Sequence, residues 1–115
     1  MKDQLLHNPR CSKSREALKL LQDRGIEVPV VEYLEQPLSK AQLKALCGLL
    51  GVRPVQLVRT KEALFDELGL SVDSGSDASW LGVLAKHPRL LERPILVYHG
   101  RAAIGRPTEN LLTLL

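Results

Sequence analysis

The first 34 residues switch hydrophobic period twice, and that switch limits the folds open to the chain more than any other feature. "QLLH" (residues 4–7) is a short apolar piece, and "SKSREALKLLQDRG" (12–25) has apolar residues at 17, 18, 20 and 21 before Gly25. "EVPVVEYL" (27–34) is rich in β-branched residues, with Pro29 near its start. Apolar positions three and four apart ending on glycine read as a helix, and a β-branched run with proline at its entry reads as a strand. Strand, helix, strand at this spacing calls for a right-handed parallel crossover and hence a sheet carrying a helix.

The period then stays helical for some fifty residues. In "LSKAQLKALCGLLG", Ser39 and Gln42 have capping-box spacing and Leu38 and Leu43 stand where a hydrophobic staple would, so a helix starts at 40. "VRPVQLVRTKEALFDELGL" holds one or two short helices, and "SDASWLGVLAKHP" another, capped by Ser76 or Asp77 and ended before Pro88. The whole stretch from 39 to 88 reads as helical, with "DSGSD" (73–77) as a surface loop. "RPILVYHGRAAIGRP" returns to strand period, its two strands joined by a tight turn at His99-Gly100. In the closing "PTENLLTLL", Pro107 suits the first position of a last helix. The order is β-α-β, a helical insert, then β-β-α. One α/β domain over 1–115 follows, a thioredoxin-like fold: a four-stranded mixed sheet flanked by helices, with a helical insertion between strands two and three.

Composition narrows the function. An apolar fraction of 44%, 25% charged residues and the absence of a long apolar run describe an ordinary soluble, cytoplasmic chain with no membrane segment. The net charge of +3 is spread among 13 acidic residues with four aromatics, which argues against nucleic acid. Cys11 and Cys47 are too few for a disulfide scaffold, and His7, His87 and His99 lack metal-site spacing, so reduced thiols, no metal and no bound cofactor are expected. A monomer is the default.

The chemistry concentrates in "HNPRCSKSR" (7–15). A helix N-terminus is already positive, and a cation there forgoes or reverses roughly 0.3–1 kcal/mol of dipole stabilisation, so Arg10, Lys13 and Arg15 around Cys11 point to an anion. The same surroundings can lower a thiol from about 8.5 to about 3.5–7.5, making Cys11 a candidate nucleophile. Arg10, Ser14 and Arg15 are candidates to stabilise its thiolate, whereas Lys13 reads as solvent-facing. His7, four residues before Cys11, could hold or relay the thiol proton. The motif is Cys-x-x-Ser, so no local disulfide can form and a redox cycle at Cys11 needs an outside thiol. Cys47 shares an apolar face with Leu43, Leu46 and Leu50 and reads as an inert core residue. Cys-x3-Arg is too short for the Cys-x5-Arg loop of tyrosine phosphatases. Arg93-Pro94 and Arg106-Pro107 each hold an arginine extended at an entry to regular structure, and Arg106 again places a cation at a helix start, where its planar fork suits a bound anion. In a thioredoxin-like sheet the bond before Pro94 would be cis and beside the cysteine, bringing Arg93 close to Cys11.

Taken in order, "HNPRCSKSR", "VRTKE…ELGL", "HPRLLERPILV" and "IGRPTENLL" resemble the glutaredoxin-coupled arsenate reductase family over nearly the whole chain, and "PRCSKS" resembles its chromosomal subgroup. The resemblance implies a single nucleophilic cysteine, Cys11, and three arginines on the oxyanion, Arg59, Arg93 and Arg106. Arg59 is singled out by the resemblance alone. It further implies arsenate as substrate, glutathione as co-substrate and glutaredoxin as the partner that regenerates the thiol. Two other readings share the fold: an Spx type of transcription regulator binding RNA polymerase, which needs no oxyanion site, and a thiol oxidoreductase acting on another substrate.

Overall fold

A computed structural model describes all residues, 1–115. The chain divides into two compact units, residues 1–36 with 93–115, and residues 37–92. The first unit holds the whole sheet: β1 (Gln4–His7), β2 (Val30–Glu32), β3 (Ile95–Tyr98) and β4 (Arg101–Ile104), in the order β2-β1-β3-β4. β1 pairs parallel with β2 (Leu5 opposite Val30) and antiparallel with β3 (Leu5 opposite Leu96), so the sheet is mixed, as expected. The β3–β4 hairpin turns through His99 and Gly100, both at positive φ (50° and 77°), which is the type I′ geometry that matches strand twist.

Helix α1 (Ser12–Asp23) buries Ser14, Ala17 and Leu21, three and four residues apart on one face. It stops where Gly25 takes φ +68°, with Gly25 N–H bonded to Gln22 O (3.0 Å) and Ile26 N–H to Leu21 O (2.9 Å), a Schellman closure. Ala17 and Leu21 pack with Leu5, Leu96, Leu111 and Leu114 into one apolar core, at roughly 1.5–3 kcal/mol for each large side chain buried. That core fixes α1, and with it Cys11, against the central strands.

Two expectations are corrected within this unit. β2 is confined to Val30–Glu32, not the whole of 27–34. Pro29 has no N–H to give the ladder and offers its carbonyl to Leu5 N–H (2.9 Å), while Glu35 and Gln36 N–H both fold back on Glu32 O (2.9 Å each) and turn the chain. Pro107 is not the first residue of the last helix. It is extended (φ −69°, ψ 164°) and caps a 3-10 helix over Thr108–Leu114, its carbonyl taking Asn110 N–H at 3.0 Å. The Arg93-Pro94 bond is cis as expected, and Arg106-Pro107 is cis as well.

The second unit contains α2 (Lys40–Leu50), a 3-10 turn (Pro54–Leu57), α3 (Ala63–Glu67), α4 (Asp77–Lys86) and a second 3-10 turn (Pro88–Leu90). The capping box of α2 forms, Gln42 N–H to Ser39 Oγ at 3.1 Å and Ser39 N–H to Gln42 Oε1 at 2.9 Å, and Leu38 and Leu43 are buried. Ser76 caps α4, and Trp80 stacks on Phe65 with ring centroids 6.5 Å apart. The stretch is not entirely helical. Val58 and Leu91 form an antiparallel bridge, with Glu92 N–H on Leu57 O (2.8 Å) and Arg59 N–H on Leu90 O (2.7 Å).

Candidate active site

Cys11 is the N-cap of α1, extended at φ −96°, ψ 123°, and buried. Its own N–H is spent on Asn8 O (3.0 Å), which closes the loop from β1 into the helix. The sulfur stands at the first turn of α1, where the Ser14 and Lys13 N–H groups favour its charged form. Burial by itself pushes the thiol up, but those two donors together with the Arg93 and Arg106 guanidiniums outweigh it, and the thiol is held below its ordinary value.

Arg106 approaches from the segment between β4 and the last 3-10 helix. Its Nη2 lies 3.5 Å from Cys11 Sγ while its Nε donates to Arg93 O at 2.7 Å, so one nitrogen of the guanidinium is anchored on backbone and another reaches the sulfur. The segment comes this close because residue 105 is glycine. A Cβ there would stand 2.9 Å from Pro94 Cγ and 3.3 Å from Leu111 Cδ1, against the Gly105 N–H bond to Pro94 O (2.8 Å).

Ser14 is fully buried beneath the cysteine, its Oγ taking Asn8 N–H at 2.9 Å and standing 2.6 Å from His7 Nδ1. Burial lowers the His7 imidazole, Glu32 and the Ser14 hydrogen bond opposing that and Arg15 adding to it, so the ring is held toward its neutral form. His7 thus bonds to Ser14, whose backbone N–H bears on the Cys11 thiol.

Arg15 folds back onto Pro9 O (2.9 Å), and the Arg10 N–H bonds to Asn8 Oδ1 (3.0 Å), so both brace the loop. His7, Asn8, Pro9 and Arg10 also line an open cavity of about 180 Å³ with Glu32 and Glu35. Arg59, in the second unit, has Nη1 2.9 Å from Glu62 Oε2 and Nε 4.0 Å from Glu92 Oε1. Cys47 is buried, and that burial raises its thiol. Asn8 and Gly105 were given no role by sequence reasoning, though each lies within a stretch that it quoted.

A sheet of this order with a cysteine at the N-terminus of the first helix and a cis proline at the start of β3 defines a thioredoxin-like protein with a thiol flanked by arginines. The ArsC family pattern matches residues 6–114, and the chain belongs to that family. It is 46% identical over 96% of both chains to "Arsenate reductase" of Neisseria meningitidis (strain Z2491), and 46% identical to "Uncharacterized protein YfgD" of Escherichia coli (strain K12), covering 96% of this chain and 93% of that one. Among solved structures, "Arsenate reductase from Vibrio cholerae" superposes with a TM-score of 0.91 at 43% identity over the whole of both chains. No helix is long and apolar enough to cross a membrane.

Proposed function

We propose that the protein reduces arsenate to arsenite through a covalent adduct on Cys11, with glutathione as the second thiol and glutaredoxin as the partner that regenerates the cysteine, in the cytoplasm. The observation that carries this reading is the pairing of a stabilised thiolate with a backbone-anchored guanidinium, Arg106 Nη2 at 3.5 Å from Cys11 Sγ. An arsenate anion would repel a bare thiolate. Arg93 and Arg106 neutralise that repulsion and offer donors to the oxyanion oxygens, and the first-turn N–H groups add partial positive charge at the same place. Arg59 enters the reading through the family resemblance alone.

In the reaction, the Cys11 thiolate bonds to arsenic(V) and a protonated arsenate oxygen leaves as water. A glutathione thiolate then bonds to the Cys11 sulfur; the sulfur–arsenic bond breaks with its electron pair going to arsenic, which departs as arsenite, reduced by two electrons. The remaining disulfide between Cys11 and glutathione is reduced by glutaredoxin. Cys11 has no neighbouring thiol in its Cys-x-x-Ser motif, which supports an external reductant.

The test is arsenite release by the purified protein with arsenate, glutathione, glutaredoxin and an NADPH-driven recycling system, run beside Cys11→Ser. Turnover that needs Cys11, glutathione and glutaredoxin is expected. A protein whose Cys11 is reduced and alkylates readily but which releases no arsenite would overturn the reading.

A further inference from the structure

The contact between Cys11 and Arg106 joins two parts of the chain 95 residues apart, so something must fix their separation. The Arg106 side chain is anchored on Arg93 O, and its own carbonyl takes Asn110 Nδ2 at 3.1 Å, but both bonds stay on the β3 and C-terminal side of the site. The bond that ends on the body of α1 is made two residues further on: Thr108 Oγ1 donates to Glu16 Oε2 at 3.1 Å. Glu16 stands on the polar face of α1, five residues past Cys11, and pairs with Lys13 at 3.7 Å.

We propose that Glu16 and Thr108 are positioning residues: their hydrogen bond ties the helix that presents Cys11 to the segment that presents Arg106, and so sets the guanidinium–sulfur distance. The geometry favours this role over a purely stabilising one. The bond is exposed, where a hydrogen bond exchanged with water contributes little to folding. It nevertheless sits two residues from an arginine whose effect on the thiolate depends on distance, and a shift of an ångström at Nη2 would exchange a charge-assisted contact for a solvent-separated one. The inference rests on the arsenate reading only for the identity of the anion.

The experiment uses the full chain and follows carbamidomethylation of Cys11 by iodoacetamide as a function of pH, with peptide mapping to separate Cys11 from Cys47. In Thr108→Val, which keeps the side-chain shape and removes the donor, the midpoint for Cys11 should move up and the rate at neutral pH should fall about 3- to 10-fold, the range of one ordinary hydrogen bond. Thr108→Ser should restore both. Glu16→Ala supplies the decisive sign. Removing a nearby negative charge acts by itself to lower the thiol and speed alkylation, whereas loss of the tether should raise the thiol and slow it. A wild-type profile in folded Thr108→Val, equal loss in the Ser variant, or faster alkylation in Glu16→Ala would each overturn the proposal. Alkylation needs no arsenate, so a failure here is distinct from a failure of the reductase reading. If both hold, kcat/KM for arsenate should fall in Thr108→Val and recover in Thr108→Ser.

Discussion

The single residue that decides the chemistry is Cys11, and its state follows from what faces it. Because its thiol is held low, the pH midpoint of Cys11 alkylation should lie below the value of about 8.5 for a free cysteine. By linkage, its ionisation favours the folded state above the unfolded thiol value, and that contribution is lost as pH falls through the lower folded value. Arg106→Ala removes a charge-assisted contact of about 1.5–3 kcal/mol, so kcat/KM for arsenate should fall roughly 10- to 150-fold while the chain stays folded. His7 carries a second pH dependence. Burial depresses its imidazole, so its contribution to stability is present above the unfolded value of about 6.5 and is lost as pH falls through the folded one. Denaturant unfolding at pH 7.5 and pH 5 should therefore show a larger loss for the wild type than for His7→Gln; equal losses would mean the ring is already free to charge in the native state.

Among elements, the short ones matter most to the site. β1 is only four residues long, yet it is an inner strand, paired with β2 on one side and β3 on the other, and its Leu5 and Leu6 are fully buried. The turn from β4 into Arg106 works by absence of a side chain. Gly105→Ala would bring a Cβ to within 2.9 Å of Pro94, and the backbone must yield, at a cost of about 1–3 kcal/mol. That movement would carry Arg106 with it, so slower Cys11 alkylation should accompany the lower melting temperature. Caps and turns were legible from neighbouring residues: the Ser39–Gln42 box, the Ser76 cap and the His99-Gly100 turn all formed as read. The ends of β2 were not, since Val28 and Tyr33 have strand-like character, and Pro29 at one end and the turn onto Glu32 O at the other stop the pairing.

In the molecule as a whole, the core of the first unit is assembled from both ends of the chain: Leu5, Ala17 and Leu21 meet Leu96, Leu111 and Leu114. Leu111→Ala should cost about 2–5 kcal/mol in denaturant unfolding, because the cavity would open where the C-terminal segment is anchored beside the sheet. Residues near in sequence were enough for the order of elements, the helix-start position of Cys11, the lack of a second cysteine in its Cys-x-x-Ser motif and the burial of Cys47, because each depends on period, spacing or capping over a short stretch. Only the tertiary structure decided which cations face the thiolate. Arg15, four residues from Cys11, turns back to Pro9 O, while Arg106 reaches the sulfur across the fold. A side chain's direction is set by the acceptors it finds, and for Arg106 Nε that acceptor is the carbonyl of Arg93, a partner brought near only once the strands have paired.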